Sequence, residues 1–436
     1  MNEIQLRQQI AKKIKEFIKL QNNKKKFIPG KTWVRYGEAT LGDKEINSSV
    51  SSLLKGWFGL GKKAQQFEKR LAQYLDVKGS VLTNSGSSAN LLATAAITSP
   101  LFDKHLQPGD EVITAACGYP TTVNPLFLYN LIPVFVDINI HTYNLDASLL
   151  EKSLTKKTRA VFIAHTLGNH NDMDTIVKFC RQYKLLLIED NCDALGSIYN
   201  GKKTGSFGLL STQSFYPPHH ITMGEGGAVN YQDKFFEKII RSLRDWGRSC
   251  WCRGDNTKKN GACNMRFRFL IDNIPYDHKY VFNQIGYNLK STEPQAAIGL
   301  EQIKKFPKFI IKRKYNFNRL HQHAKNWQDY FLLPQSLPKS QPCWFAYPLT
   351  LRENLPFTRQ EIITFLEKQK VQTRPLFAGN LTIQPAYQNV RYRKISSLEN
   401  ADYVFQHTFF VGIHQGLGKR EIDYIAENIE DFIRRY

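Results

Sequence analysis

From about Phe67 the chain alternates short, near-continuous apolar runs with stretches of helical spacing, and nothing else in the sequence restricts the fold as strongly. FEKRLAQYL at 67–75 has the apolar spacing of a helix, whereas SVL, EVITAA, VFVDI, RAVFIAH and LLLIED are strand-length and apolar at consecutive positions. Strands of that kind are buried on both faces, which in repeated strand–helix units means a mostly parallel sheet covered by helices. The sequence is therefore read as α/β. A large domain is expected at 36–310 and a smaller C-terminal α+β domain at 311–436, the latter with a long basic helix (IIKRKYNFNRLHQHAKNW), strands around 343–350 and a closing helix from about residue 419. A helical arm at 1–35 precedes them. In it Ile10, Ile14, Phe17 and Ile18 recur at helical spacing between lysines and are expected to pack on the body or on a partner subunit.

A chain of 436 residues that is 42% hydrophobic and 22% charged is neither disordered nor fibrous. No run approaches the roughly eighteen apolar residues of a membrane span, and MNEIQLRQQIAKKIKEF lacks the apolar stretch of a secretory signal, so a cytoplasmic protein is expected. The net charge of +22 invites a nucleic-acid reading, but the basic residues are scattered, their densest run is KKK at 24–26, and no nucleic-acid-binding motif is present. No nucleic-acid partner is expected. The charge suits an anionic partner such as a diphosphate-bearing substrate or an acidic redox protein, and equally a solvated lysine surface.

Three segments carry candidate chemistry. In VLTNSGSSANLLATAAI (81–97) a strand enters a small-residue turn and then a helix, so Gly86 and Ser87 are placed to offer N–H groups to a phosphate; plain helix capping gives the same pattern. LLLIEDNCDALG (185–196) ends an apolar strand in acids, and Asp190 would stand at the carboxyl edge of the sheet, where ligands of open α/β sheets bind, unless it caps a helix. STQSFYPPHHITMGEGGAV (211–229) places two prolines and two histidines before a GEGG turn. Of the seven cysteines, Cys117, Cys180 and Cys343 stand alone, and Cys180 and Cys343 read as buried apolar positions. Cys250 and Cys252 flank a tryptophan, with Cys263 following a loop-like stretch.

Together with GYNLKSTEPQAAIGLEQI at 286–303, these segments resemble, from about Phe67 to the C-terminus, the sugar aminotransferases that use pyridoxal phosphate. The resemblance implies an aspartate-aminotransferase-like large domain. It also implies a cofactor site including Gly86, Ser87, Asp190, Asp193, Ser214 and Tyr216, and a homodimer in which Asn288 reaches the neighbouring subunit's cofactor phosphate. The departures are chemical. His219 stands where the family has its imine-forming lysine, Tyr216 where its motif has histidine, and Asp193 where glutamine or histidine stacks on the ring. An imidazole forms no imine, so the cofactor is expected to sit noncovalently, as pyridoxamine 5'-phosphate or as unlinked pyridoxal 5'-phosphate. His219 is then a base with a pKa near the working pH.

The histidine replacement resembles the branch of 3-dehydrases acting on CDP-4-dehydro-6-deoxyglucose on the way to the 3,6-dideoxyhexoses of lipopolysaccharide. That resemblance implies a 2Fe-2S cluster on Cys192, Cys250, Cys252 and Cys263, fed by a flavin/iron-sulfur reductase, although four such thiols also fit zinc. The gap between Cys252 and Cys263 is longer than expected for the branch, which leaves Cys263 the least secure ligand. The implied reaction joins the cofactor amine to the sugar C4 ketone, removes a C4′ proton through His219, expels the C3 hydroxyl and reduces the product. A cluster-free GDP-sugar 3-dehydrase, a sugar aminotransferase homologue and a noncatalytic regulator are the competing readings.

Overall fold

The computed structural model describes residues 1–24, 26–250 and 266–436. Its central sheet is built on β1 (Gly79–Thr83), β2 (Glu111–Ala115), β3 (Ile132–Val136), β4 (Thr158–Ala164), β5 (Leu186–Asp190), β6 (Leu210–Ser214) and β7 (Gly227–Tyr231). They lie in the order β1-β7-β6-β5-β4-β2-β3, with the short strand Arg393–Lys394 added beyond β3. Every pairing is parallel except those of β7 with β1 and β6. Within β4, Ala160 and Phe162 enter one core while Val161 and Ile163 enter the other, so the sheet is covered on both faces as the consecutive apolar runs require.

Register then fixes the site. Ala164 pairs with Asp190 and Asp190 with Thr212, which brings the carboxyl ends of β4, β5 and β6 level. The chain between β6 and β7, residues 215–226, returns over that edge and carries the two prolines and two histidines.

The C-terminal part is an antiparallel sheet of Phe331–Leu332, Ala346–Leu351, Thr408–Gly412 and Thr373–Pro375, backed by the helices Arg359–Lys368 and Lys419–Ile433. One continuous helix, Glu293–Ala324, joins it to the large sheet and has residue 310 in its interior. Its start is set by Thr292 and Gln295, which cap it reciprocally, and by a proline in the first turn, where the missing N–H costs nothing. A single apolar cluster runs from Ile113 and Val161 through Phe317 and Trp327 to Tyr347, Phe409 and Ile425, so both parts share one core.

The arm is the helix Glu3–Lys24, lying along Asp43–Leu53. Ile14 and Ile18 turn toward the body, but Ile10 and Phe17, expected beside them, are exposed; the inward stripe is completed by Arg7 and Ala11 instead. A second feature without a clear sequence signal is the hairpin Phe269–Ile271/Ile274–Tyr276, whose six residues are all exposed. Among the described residues, no helix is long and apolar enough to cross a membrane.

Candidate active site

A cavity of about 640 Å³ opens at the carboxyl ends of β4, β5 and β6. Gly86, Ser87, Asp190, Cys192, Asp193, Ser214, Tyr216 and His219, all singled out in the sequence, line it. Asn288 does not: it is exposed outside the cavity, bridged to Asp245. Cys250 is half-buried and is likewise not in the lining, and Cys252 and Cys263 lie outside the described residues. Among the described residues no three His, Cys, Asp or Glu side chains converge as a metal site.

One wall is the N-terminus of the helix Gly86–Ile97. Ser85 is extended and its Oγ accepts the Ser88 N–H at 3.0 Å, closing the cap and leaving the N–H groups of Gly86 and Ser87 to be met from outside the helix. A Cβ on Gly86 would stand 2.5 Å from the Ser214 Cβ and 3.1 Å from Cys192 Sγ. The GEGG turn belongs to the same cradle, because a Cβ at Gly227 would run into the Ser85 carbonyl. Glycine is required at both positions by close approach rather than by an unusual φ.

The floor is Asp190. Its Oδ2 accepts from Asn90 Nδ2 (2.8 Å) and Thr122 Oγ1 (2.6 Å), its Oδ1 from the Cys192 N–H (3.1 Å), and Thr212 Oγ1 in turn holds Asn90 Oδ1 at 2.6 Å. Three donors keep this carboxylate fixed and ready to face a cation. The neighbouring Glu189 points the other way and is consumed structurally: Gly205, Phe207 and Gly208 donate their N–H groups to it, and the buried His165 meets it through Nε2 at 2.9 Å. His165 and Glu189 thereby secure the cavity wall behind Asp190.

His219 and Asp193 sit together at the inner end, with Nδ1 and Oδ1 3.6 Å apart. Burial, assisted by the Asp190 charge, pushes the Asp193 carboxyl up to about 7. Burial, assisted by the Arg313 guanidinium, pushes His219 down to about 4. The expectation of a histidine poised near neutrality is corrected on this point: the enclosed imidazole is held neutral, and the group that titrates near neutrality is its acidic neighbour. Cys192 is also changed by its surroundings, since burial and the adjacent Asp190 hold its thiol far above the usual range. Tyr216 is 46% exposed, at the rim.

Several site residues escaped the sequence reading. Asn90 stands four residues after Gly86 on the same helical face, a spacing that could have found it. Thr122, His165 and Phe345 had no comparable signal, and neither did Arg374, which lines the mouth with its guanidinium 4.7 Å over the Tyr36 ring.

The donors suit a phosphorylated pyridine: N–H groups at a glycine turn for the phosphate, and a fixed carboxylate across the cavity for a protonated ring nitrogen. No lysine is present among the described lining residues to form an imine.

Residues 40–430 match the DegT/DnrJ/EryC1/StrS aminotransferase family. The chain is 45% identical over 432 residues, 98% of each chain, to the lipopolysaccharide biosynthesis protein RfbH of Salmonella typhimurium. It is 44% identical over 414 residues, 94% of this chain and 88% of the other, to the dTDP-4-dehydro-2,6-dideoxy-D-glucose 3-dehydratase of Saccharopolyspora spinosa. The solved structure of an E. coli GDP-4-keto-6-deoxy-D-mannose-3-dehydratase with bound hydrated PLP superposes with a TM-score of 0.81 at 31% identity, covering 91% of this chain and 99% of that one.

Proposed function

Given that the chain belongs to the DegT/DnrJ/EryC1/StrS aminotransferase family, we propose that it is a C3 dehydratase of a nucleotide-linked 4-keto-6-deoxyhexose, working in the cytoplasm with noncovalent pyridoxamine phosphate. The observation that carries the reading is His219, which lines the cavity with the fixed Asp190 where no lysine is present among the described lining residues. Relatives named as 3-dehydratases of keto sugars support it. CDP-4-dehydro-6-deoxyglucose is the substrate proposed from the motifs. A dTDP-linked sugar is the second reading, favoured by the 44% identity to the dTDP-sugar enzyme.

Bound pyridoxamine phosphate supplies the primary amine that condenses with the ketone and a ring that accepts electrons. Gly86 and Ser87 would hold its phosphate, with Ser214 packed beneath, and Asp190 would keep the ring nitrogen protonated. With Nδ1 of His219 turned to Asp193, Nε2 is left to take the proton. An imidazole held neutral in the free enzyme is always in the accepting form, and Asp193 stabilises the cation once it forms. Tyr216 stands at the rim, where the substrate would enter.

The reading extends to a homodimer, in which exposed Asn288 meets the partner's phosphate, and to a 2Fe-2S cluster on Cys192, Cys250, Cys252 and Cys263. Such a cluster supplies single electrons from a flavin/iron-sulfur reductase. What supports the cluster in this molecule is the place of Cys192, whose sulfur faces the cradle beside Gly86, within the cavity rather than in the core. Incubating anaerobically purified protein, pyridoxamine phosphate and a reductase with the CDP- and dTDP-linked ketosugars tests the whole reading. Loss of the C3 hydroxyl supports it, and amino transfer to C4 with no C–O cleavage overturns it.

A further inference from the structure

Resting on the role given to His219 above, we propose that Arg313 is the positioning residue for that imidazole. Arg313 lies in the interior of the helix Glu293–Ala324, is fully buried, and makes no ion pair at salt-bridge distance among the described residues. Its hydrogen bonds go instead to neutral oxygens from three separate segments. Nε donates to Gln415 Oε1 (2.8 Å), NH1 to the carbonyls of Phe345 (3.0 Å) and Trp344 (3.4 Å), and NH2 to the carbonyls of Pro218 (3.1 Å) and His219 (3.3 Å).

This arrangement is costly to build, since the buried cation has no carboxylate in hydrogen-bond contact, only the charge of nearby Asp193, and exchanges its hydration mainly for carbonyl dipoles. A neutral side chain could fill the space more cheaply. What the guanidinium adds is geometry: its rigid fork reaches the backbone of two separate irregular segments at once. Residues 215–226 carry no helix or strand, so the return from β6 to β7 gives His219 no regular ladder to fix it. The imidazole itself makes no short polar contact with Asp193; it meets the Cys192 backbone and lies against the rings of Phe345, at 5.3 Å between centroids and 50°, and Tyr216, at 6.4 Å. Arg313 therefore holds the backbone of the histidine and the backbone of the ring packed on it through adjacent nitrogens. Lysine keeps the charge and loses the fork.

The test is Arg313→Lys, read first in the reaction. The expected variant melts near the wild-type temperature, binds pyridoxamine phosphate, keeps KM within about twofold, and loses about 10²-fold in kcat and in substrate-dependent C4′ hydrogen exchange, the size expected for a misplaced catalytic group. Exchange at the wild-type rate would overturn the proposal, and so would weakened cofactor binding with kcat unchanged at saturation.

A second measurement needs no sugar. In His219→Lys the new amine should condense with pyridoxal phosphate, releasing water and giving the absorbance of a protonated imine. In the double variant His219→Lys/Arg313→Lys that band should be reduced several-fold at saturating cofactor. An undiminished band shows that position 219 is aimed without Arg313 and overturns the proposal. If the wild type exchanges with no nucleotide ketosugar but the two bands differ as expected, the failure belongs to the proposed reaction and the positioning role stands.

Discussion

Asp193 Oδ1 stands 3.6 Å from His219 Nδ1 at the enclosed end of the cavity, and burial moves the two groups in opposite directions, the acid up to about 7 and the imidazole down to about 4. Both shifts arise because burial disfavours each charged form taken singly; when the imidazole takes up a proton, an ionised Asp193 beside it makes that charge a paired one. Replacing Asp193 by Asn should keep the cofactor bound but lower kcat, because the imidazolium formed during turnover loses the carboxylate that stabilises it. Steady-state kinetics beside a cofactor titration decide this; unchanged kcat would remove Asp193 from the mechanism.

Gly86→Ala places a methyl group 2.5 Å from the Ser214 Cβ, a separation that real side chains do not adopt. The turn must shift and its N–H groups with it. Affinity for pyridoxamine phosphate should fall about tenfold or more, the loss of one or two charge-assisted hydrogen bonds, with little change for a dephosphorylated analogue. Equal losses for the two ligands would show that the phosphate is held elsewhere.

Asp190→Asn leaves the Asn90, Thr122 and Cys192 donors facing an amide that can match some of them only. The amide cannot hold a ring nitrogen protonated. Turnover should fall about 10³-fold or more, while a cofactor analogue carrying a permanent positive charge at that nitrogen restores part of it. Failure of the analogue to restore any activity would show that Asp190 acts as scaffold alone.

Acid should unfold the protein through its buried histidines. His170 is pushed down to about 4 by burial, His219 to about 4 and His414 to about 3, and burial also holds His220 well below its usual value. Each is neutral when folded, so the unfolded chain binds more protons below pH 6.5. The stability they contribute is complete above that pH and is lost progressively as the pH falls toward about 4. Asp193, raised to about 7, acts in the opposite direction as the pH falls, but one acid is outweighed by four histidines, so melting temperature should drop between about 6 and 4; a flat profile across that range contradicts the buried-neutral assignment.

On the proposed cluster assignment, anaerobically prepared protein should contain iron and sulfide, and Cys250→Ser should remove them and, with them, net formation of the 3-deoxysugar, while cofactor binding and C4′ exchange survive, since only reduction uses single electrons. Zinc in the native protein, or full reductive turnover by the variant, would count against the cluster.

The sheet was legible because its strands are apolar at consecutive positions, a pattern that burial on both faces imposes. Asp190 and Gly86 were legible because each closes or follows such a strand. What the sequence hid were groups whose role depends on register across distant segments. Arg313 is one basic residue among many in its helix until Pro218, His219, Phe345 and Gln415 are brought around it. His165 gains its meaning from pairing with Glu189, and Glu189 could not be told from Asp190 without the two faces of β5. The shift of His219 away from neutrality was equally hidden, because burial and the nearness of Arg313 are tertiary properties.

The central claim is that His219, in a cavity with no lysine among its described lining residues, moves a proton at the cofactor. Its most direct measurement is hydrogen exchange at C4′ of bound pyridoxamine phosphate in deuterated buffer with the nucleotide ketosugar, compared between wild type and His219→Asn. Asparagine fills similar space and accepts no proton at neutral pH. The account predicts stereospecific exchange in the wild type and a loss of about 10²-fold or more in the variant, with the cofactor still bound. Equal exchange rates in the two proteins, both loaded with cofactor, would contradict it.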